Sequence, residues 1–170
     1  MDDSIKEVLA GIRQAMQAER NGQQFYAMAA MTTQDETAKV VFRDLAEEEE
    51  RHFEYLKAHY RSLLETGTLD AKATLRVGPH LEDQSPIFSA ELRQRIGQAH
   101  FEMSALAIAV QLELNAINHY REQAKRTKIP EAKRLFEELV EWESSHYNAF
   151  LHQQQELQEA YWAEAGFEKF

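Results

Sequence analysis

No cysteine occurs among the 170 residues, which excludes disulfides, thiolate metal sites, cysteine nucleophiles and any iron–sulfur centre built by this polypeptide. Electrons for redox chemistry would have to arrive from elsewhere. Glycine and proline are scarce, at 6 and 3, so few positions interrupt a regular backbone. Basic residues are also short: 19 Lys and Arg face 29 Asp and Glu, for a formal net charge of −10. The clustered positive charge that nucleic acid or an anionic membrane surface requires is therefore missing. No stretch approaches the ~20 apolar residues of a membrane span, and the opening MDDSIKEVL has neither the basic start nor the apolar run of a signal peptide. These absences lead to the expectation of a cytoplasmic protein with no nucleic-acid and no membrane partner. With 44% hydrophobic residues, the chain suits one compact domain over 1–170 with a sizeable core.

What is present is a repeat. Glu49 and His52 stand three apart in AEEEERHF, and Glu143 and His146 stand three apart in EWESSHYN. A shift of 94 positions carries the first pair onto the second, and it also carries Glu19 onto Glu113 and Tyr26 onto Tyr120. Without a gap, the same shift places Ala15, Gln17, Asn21, Ala38, Lys39, Phe42, Leu45 and Glu47 on Ala109, Gln111, Asn115, Ala132, Lys133, Phe136, Leu139 and Glu141. The chain reads as an internal duplication with halves of about 1–66 and 89–163.

Apolar residues recur every three to four positions, which predicts an almost wholly helical chain with four long helices. The first spans about Ser4 to Met31, opening on a capping box of Ser4 and Glu7, with Ile5, Leu9, Ile12, Met16, Glu19, Gln23, Tyr26 and Ala30 inward. The second spans about Glu36 to Leu64, with Ala38, Phe42, Leu45, Glu49, His52 and Leu56 inward and Gly67 as its stop. Residues 67–88 lack a sustained period and hold Gly67, Gly78, Pro79 and Pro86. This connector is too long for a simple turn between antiparallel neighbours, so it is read as a crossover between the second and third long helices. A short helix around Ser89 to Ile96 leads to the third long helix, about Phe101 to Arg126, with Leu106, Val110, Glu113, Ile117, Tyr120 and Ala124 inward. The fourth begins at Pro130, a favoured first helical residue, and runs to about Ala163, with Leu135, Phe136, Leu139, Glu143, His146 and Phe150 inward. GFEKF is expected to be a loose tail.

Residues three apart share a helix face, so each Glu-x-x-His pair can serve one metal ion. Four carboxylates on inward faces would repel one another and lose hydration unless protons or cations neutralise them. Two divalent ions balance four glutamates. Oxygen and imidazole donors suit iron or manganese, and zinc can substitute.

The segments AERNGQQFY, LAEEEERH, LELNAINHY and LVEWESSH carry a resemblance to the rubrerythrin-type members of the ferritin-like superfamily over nearly the whole chain. It implies an all-α, ferritin-like four-helix bundle holding two iron ions per chain. Glu19 and Glu113 would be the ligands from the first and third long helices, Glu49 and Glu143 would bridge the ions, and His52 and His146 would cap one each. Many rubrerythrins carry a second glutamate three residues after the third-helix ligand, where this chain has Ala116. A cysteine-ligated rubredoxin domain cannot be formed by this sequence, so an external electron donor such as a rubredoxin or a reductase is implied, and a homodimer is expected by the same resemblance.

The expected activity is reduction of hydrogen peroxide or dioxygen by a non-haem di-iron oxidoreductase that protects against oxidative stress. The alternatives are a ferroxidase for iron storage or detoxification, a di-iron hydroxylase, and a metal-free structural bundle. Tyr26 and Tyr120 lie two turns beyond Glu19 and Glu113, where a phenol could bond a ligand carboxylate or supply an electron, and plain core packing accounts for them equally well. Gly22 and Ala116 leave room beside the metals or permit close helix packing. Glu47, Glu48 and Glu50 are read as solvated, most of His59, His80, His100, His119 and His152 as surface residues, and Trp142, Trp162, Phe167 and Phe170 as cover for a dimer surface or an anchor for the tail.

Overall fold

The computed structural model describes residues 2–75 and 86–166. Its long helices are α1 (Asp3–Thr32), α2 (Glu36–Thr66), α4 (His100–Arg126) and α5 (Pro130–Glu164). A one-turn helix, α3 (Ala90–Gln94), and a 3₁₀ turn (Ile96–Gln98) precede α4. None of the described helices is long and apolar enough to cross a membrane. Pro130 is the first residue of α5, and Gly67 ends α2 in the left-handed region at φ 76°, where a side chain would be strained. The start of α1 differs from expectation. Asp2, whose side chain accepts from the Ser4 backbone N–H, is the cap, and Ser4 lies inside the first turn.

Helices α1 and α2 form one antiparallel hairpin, and α4 and α5 form the other. The two ends of the connector establish the crossover. Gly67 lies beside Ile5 at the start of α1, whereas Phe88 packs edge-on against Phe42 and Ser89 bonds to Asp35, at the opposite end of α2. These points stand at opposite ends of a helix of 31 residues, about 46 Å at 1.5 Å per residue. Residues 76–85 of this connector lie outside the described residues, as does His80. Thr33 after α1 donates to Glu102 at the start of α4, so the second hairpin begins where the first one turns.

Repetition extends to fine detail. Gln17 donates to Asn21 and Gln111 to Asn115, and Ala38 and Ala132, Phe42 and Phe136 are pairwise fully buried. The inner faces of α2 and α5 are the expected ones. On α1 the buried stripe is turned toward small residues, with Gly11, Ala15, Gly22 and Ala29 buried while Ile5, Met16 and Gln23 are half-buried. The neighbours explain this: a Cβ on Gly11 would meet the Gln123 side chain, and one on Gly22 would meet Glu49. On α4, Val110 is likewise half-buried and Ala109 takes the inner position.

Asp35 fastens the re-entry point. Its buried carboxylate accepts from the Ala38 N–H at 2.8 Å, capping α2, and also from the backbone and hydroxyl of Ser89. Asp35→Ala removes the cap and leaves the Ser89 donors without their acceptor. The expected loss is about 2 kcal/mol, read as a fall in melting temperature of roughly 4–8 °C for a domain of this size.

Candidate metal centre

Each long helix delivers buried polar residues to one level of the bundle: Glu19 and Tyr26 from α1, Glu49 and His52 from α2, Glu113 and Tyr120 from α4, Glu143 and His146 from α5. Apolar clusters flank this level on both sides, one around Phe42, Phe88 and Phe150 and the other around Ile12, Leu56 and Phe136. These clusters close the polar layer off along the bundle axis.

Two overlapping groups form there. Glu19, Glu49, His52 and Glu143 each offer one ligand atom within 4.8 Å of the others, and so do Glu49, Glu113, Glu143 and His146. Glu49 and Glu143 belong to both. Nδ1 of His52 lies 3.2 Å from Glu19 Oε2 and 3.1 Å from Glu143 Oε1, and Nδ1 of His146 lies 3.3 Å from Glu143 Oε2. The two imidazoles stack with centroids 6.2 Å apart. Tyr26 donates to Glu113 and Tyr120 to Glu19, so the two phenols act crosswise between the halves as hydrogen-bond donors to carboxylates.

Without metal, protons carry the compensating charge. Burial and then the charges of Glu19 and Glu143 push the Glu49 carboxyl well up, and burial with the charge of Glu143 does the same to Glu113 despite His146. Burial would also raise Glu143, but the positive charges of His52 and His146 hold it well below the usual range. For His52, burial pulls down while Glu143 and Glu19 pull up, and the outcome is about 10. Burial opposes the protonation of His146 too, but its Glu143 and Glu48 partners raise it well above the ordinary value. Burial, followed by the charge of Glu113 on Tyr26 and of Glu19 on Tyr120, pushes both phenols up, so they remain neutral donors.

The residues present fit a pair of divalent cations. Both oxygens of Glu143 and Nδ1 of His146 are buried with no hydrogen bond of acceptable direction, a costly state for polar atoms. A cation in each group of four would give these atoms a partner, and the all-oxygen and imidazole donor set suits first-row metals.

A cavity of about 180 Å³ between α1 and α4 reaches Glu19, Glu49, Glu113 and Glu143, with Gly22 and Ala116 in its wall. At Gly22 a Cβ would stand 3.2 Å from the Glu49 carboxyl carbon, so glycine leaves room for that carboxylate beside the wall.

Glu48 differs from its sequence reading, and Trp142 and His59 make contacts that the sequence reading did not assign. Glu48 is not solvated: its side chain is 18% exposed, and Oε2 lies 3.0 Å from His146 Nε2. Burial pushes this carboxyl up, but the hydrogen bond and charge of His146 outweigh burial and hold it below the ordinary value. Trp142 packs on His52, with centroids 5.2 Å apart. His59 is buried at 5% exposure against Tyr55, whereas His100 and His152 are exposed and His119 is half-buried. Glu47 is exposed as expected, and Glu50 is half-exposed and paired with Arg20. Phe167 and Phe170 lie outside the described residues. The spacing of 94 held a signal for the first two, since it maps Glu48 onto Trp142, the one neighbour of the repeated pair that changes from acid to aromatic.

No curated protein and no solved structure matches the chain. The rubrerythrin family model matches residues 3–60 and 79–161. Taken with the helical bundle and the buried carboxylate and imidazole cluster that suits a di-iron protein, this match places the chain in the rubrerythrin family.

Proposed function

We propose that the chain is a di-iron oxidoreductase that reduces hydrogen peroxide or dioxygen with electrons from a separate donor such as a rubredoxin or a reductase. Glu19, Glu49, His52 and Glu143 would hold one iron, and Glu49, Glu113, Glu143 and His146 the other. The observation that carries this reading is the sharing of Glu49 and Glu143 by two four-residue groups beside a small cavity. Two ferrous ions, when bound, supply the two electrons that peroxide reduction consumes. The protein's own groups do the rest. Tyr26 and Tyr120 orient the carboxylates of Glu113 and Glu19, the flanking apolar clusters exclude bulk water, and the imidazoles fix the two ion positions.

Cavity size argues against an organic substrate. At about 180 Å³ the space suits a diatomic molecule or a peroxide and falls below the roughly 300 Å³ at which small-molecule pockets begin. A hydroxylase therefore gains no support, and ferroxidase activity remains the competing reading for the same residues.

The deciding experiment loads the chain anaerobically with ferrous iron, counts bound metal, and follows absorbance after rapid mixing with peroxide or with air-saturated buffer. Two ions per chain and rapid oxidation by peroxide or dioxygen, with the faster one marking the preferred oxidant, are expected. Uptake of ferric iron well beyond two ions per chain would replace the peroxidase reading with iron storage, and no bound iron would end both.

A further inference from the structure

The shift of 94 aligns the glutamates and histidines of the two halves but not the residues behind them. Glu48 immediately precedes Glu49 and faces the histidine of the other half: Oε2 lies 3.0 Å from His146 Nε2, while Oε1 pairs with Arg51 at 3.4 Å. The residue preceding Glu143 is Trp142, and it too faces the histidine of the other half, its ring 5.2 Å from that of His52. One imidazole is thus backed by a carboxylate and its duplicate by an indole. All ion-pair contacts of His52 among the described residues run through Nδ1, on the metal-facing side.

We infer that the two metal positions are inequivalent, with Glu48 making the His146 position the tighter one and Trp142 leaving the His52 position the weaker and more exchangeable. This rests on the di-metal reading above. A carboxylate that accepts Nε2–H fixes the tautomer with Nδ1 free for the metal and makes the ring a stronger donor, and loss of such a partner costs about 10- to 100-fold in metal affinity. An indole accepts no such bond in the ring plane, so His52 receives neither effect. Glu48 and Trp142 are positioning residues that act through the imidazoles.

Zinc alone is a suitable probe, because it is redox-inert and diamagnetic. Metal-free protein is titrated with zinc against a competing chelator while the side-chain nitrogen resonances of His52 and His146 are followed by NMR. Repulsion between two cations separates the binding steps even in a symmetric site, so the order in which the histidines respond is decisive. His146 should respond in the first step and His52 in the second. Glu48→Gln, nearly isosteric, should weaken the His146 step about 10- to 100-fold and leave the His52 step nearly unchanged. Trp142→Glu should tighten the His52 step and bring the two responses together. If His52 responds first, if both respond together in the unaltered protein, or if Glu48→Gln weakens both steps alike, the inequivalence is wrong while the di-metal reading stands. If no zinc binds at these histidines at all, the di-metal reading itself fails.

Discussion

Glu143→Gln is expected to lower the melting temperature of the metal-free protein by roughly 6–20 °C, whereas Glu49→Gln should leave it within a few degrees of the unaltered chain. Both residues belong to both groups of four, so a reading based on metal alone would treat them as interchangeable. Their electrostatics differ. Glu143 stands between two imidazoles at 3.1 and 3.3 Å, and their positive charges keep it ionised in the interior. Neutralising it leaves two buried cations short of their common counter-ion, a change that costs about 3–5 kcal/mol where one partner of a buried pair is removed. Glu49 is driven the other way by burial and by its acidic neighbours, so the folded metal-free protein already holds it as a neutral acid, and an amide of the same shape replaces it at little cost. Each variant should nevertheless lose the paired metal centre, seen as fewer than two ions bound per chain. Equal shifts in melting temperature for the two variants would contradict the assigned charge states.

The second large effect is a reversal of pH dependence on metal loading. His52 has its folded value raised from 6.5 to about 10, so its stabilising contribution is complete below pH 6.5 and disappears as pH rises through about 10. Glu49 and Glu113, raised from 4.5, act in the same direction, since the folded state holds protons that the unfolded chain releases above pH 4.5. Glu143, lowered from 4.5, contributes above that value and loses its contribution only in acid. The metal-free protein should therefore melt progressively lower from pH 6 to pH 8. Cations must displace the protons on His52, His146, Glu49 and Glu113, so loading releases up to about two protons per ion and apparent affinity rises up to a hundredfold per pH unit. The gain in melting temperature on adding zinc should consequently be small at pH 6 and large at pH 8. Calorimetric titrations in buffers of different ionisation enthalpy would count the protons directly. A gain that shrinks with rising pH would contradict this assignment.

Much of this was legible in the residues. The four long helices followed from the apolar period, Gly67 and Pro130 marked a stop and a start, and the eight buried polar residues of the centre emerged from one shift of 94. That signal works because a duplicated chain writes the same site twice. What remained hidden depended on which helices cross and how closely. Glu48 lies on the flank of α2, and only the antiparallel run of α5 beside it brings His146 within reach. On α1 apolar size points inward to Met16, whereas the approach of Gln123 to Gly11 and of Glu49 to Gly22 selects small residues along the buried stripe. His59 has no histidine counterpart in the repeat, but it continues the inner stripe of α2 seven residues beyond His52, between Leu56 and Leu63, and that spacing marks it as buried.

The crosswise phenols described above tie the two hairpins into an obligate partnership. Tyr26 of the first finds its acceptor on Glu113 of the second, and Tyr120 of the second finds its acceptor on Glu19 of the first. Neither hairpin satisfies its own interior. A single hairpin of this kind would need a second copy of itself to quench these hydroxyls, whereas one polypeptide holding both keeps each acceptor at hand. The positions behind the two histidines need not match, and one is acidic while the other is aromatic.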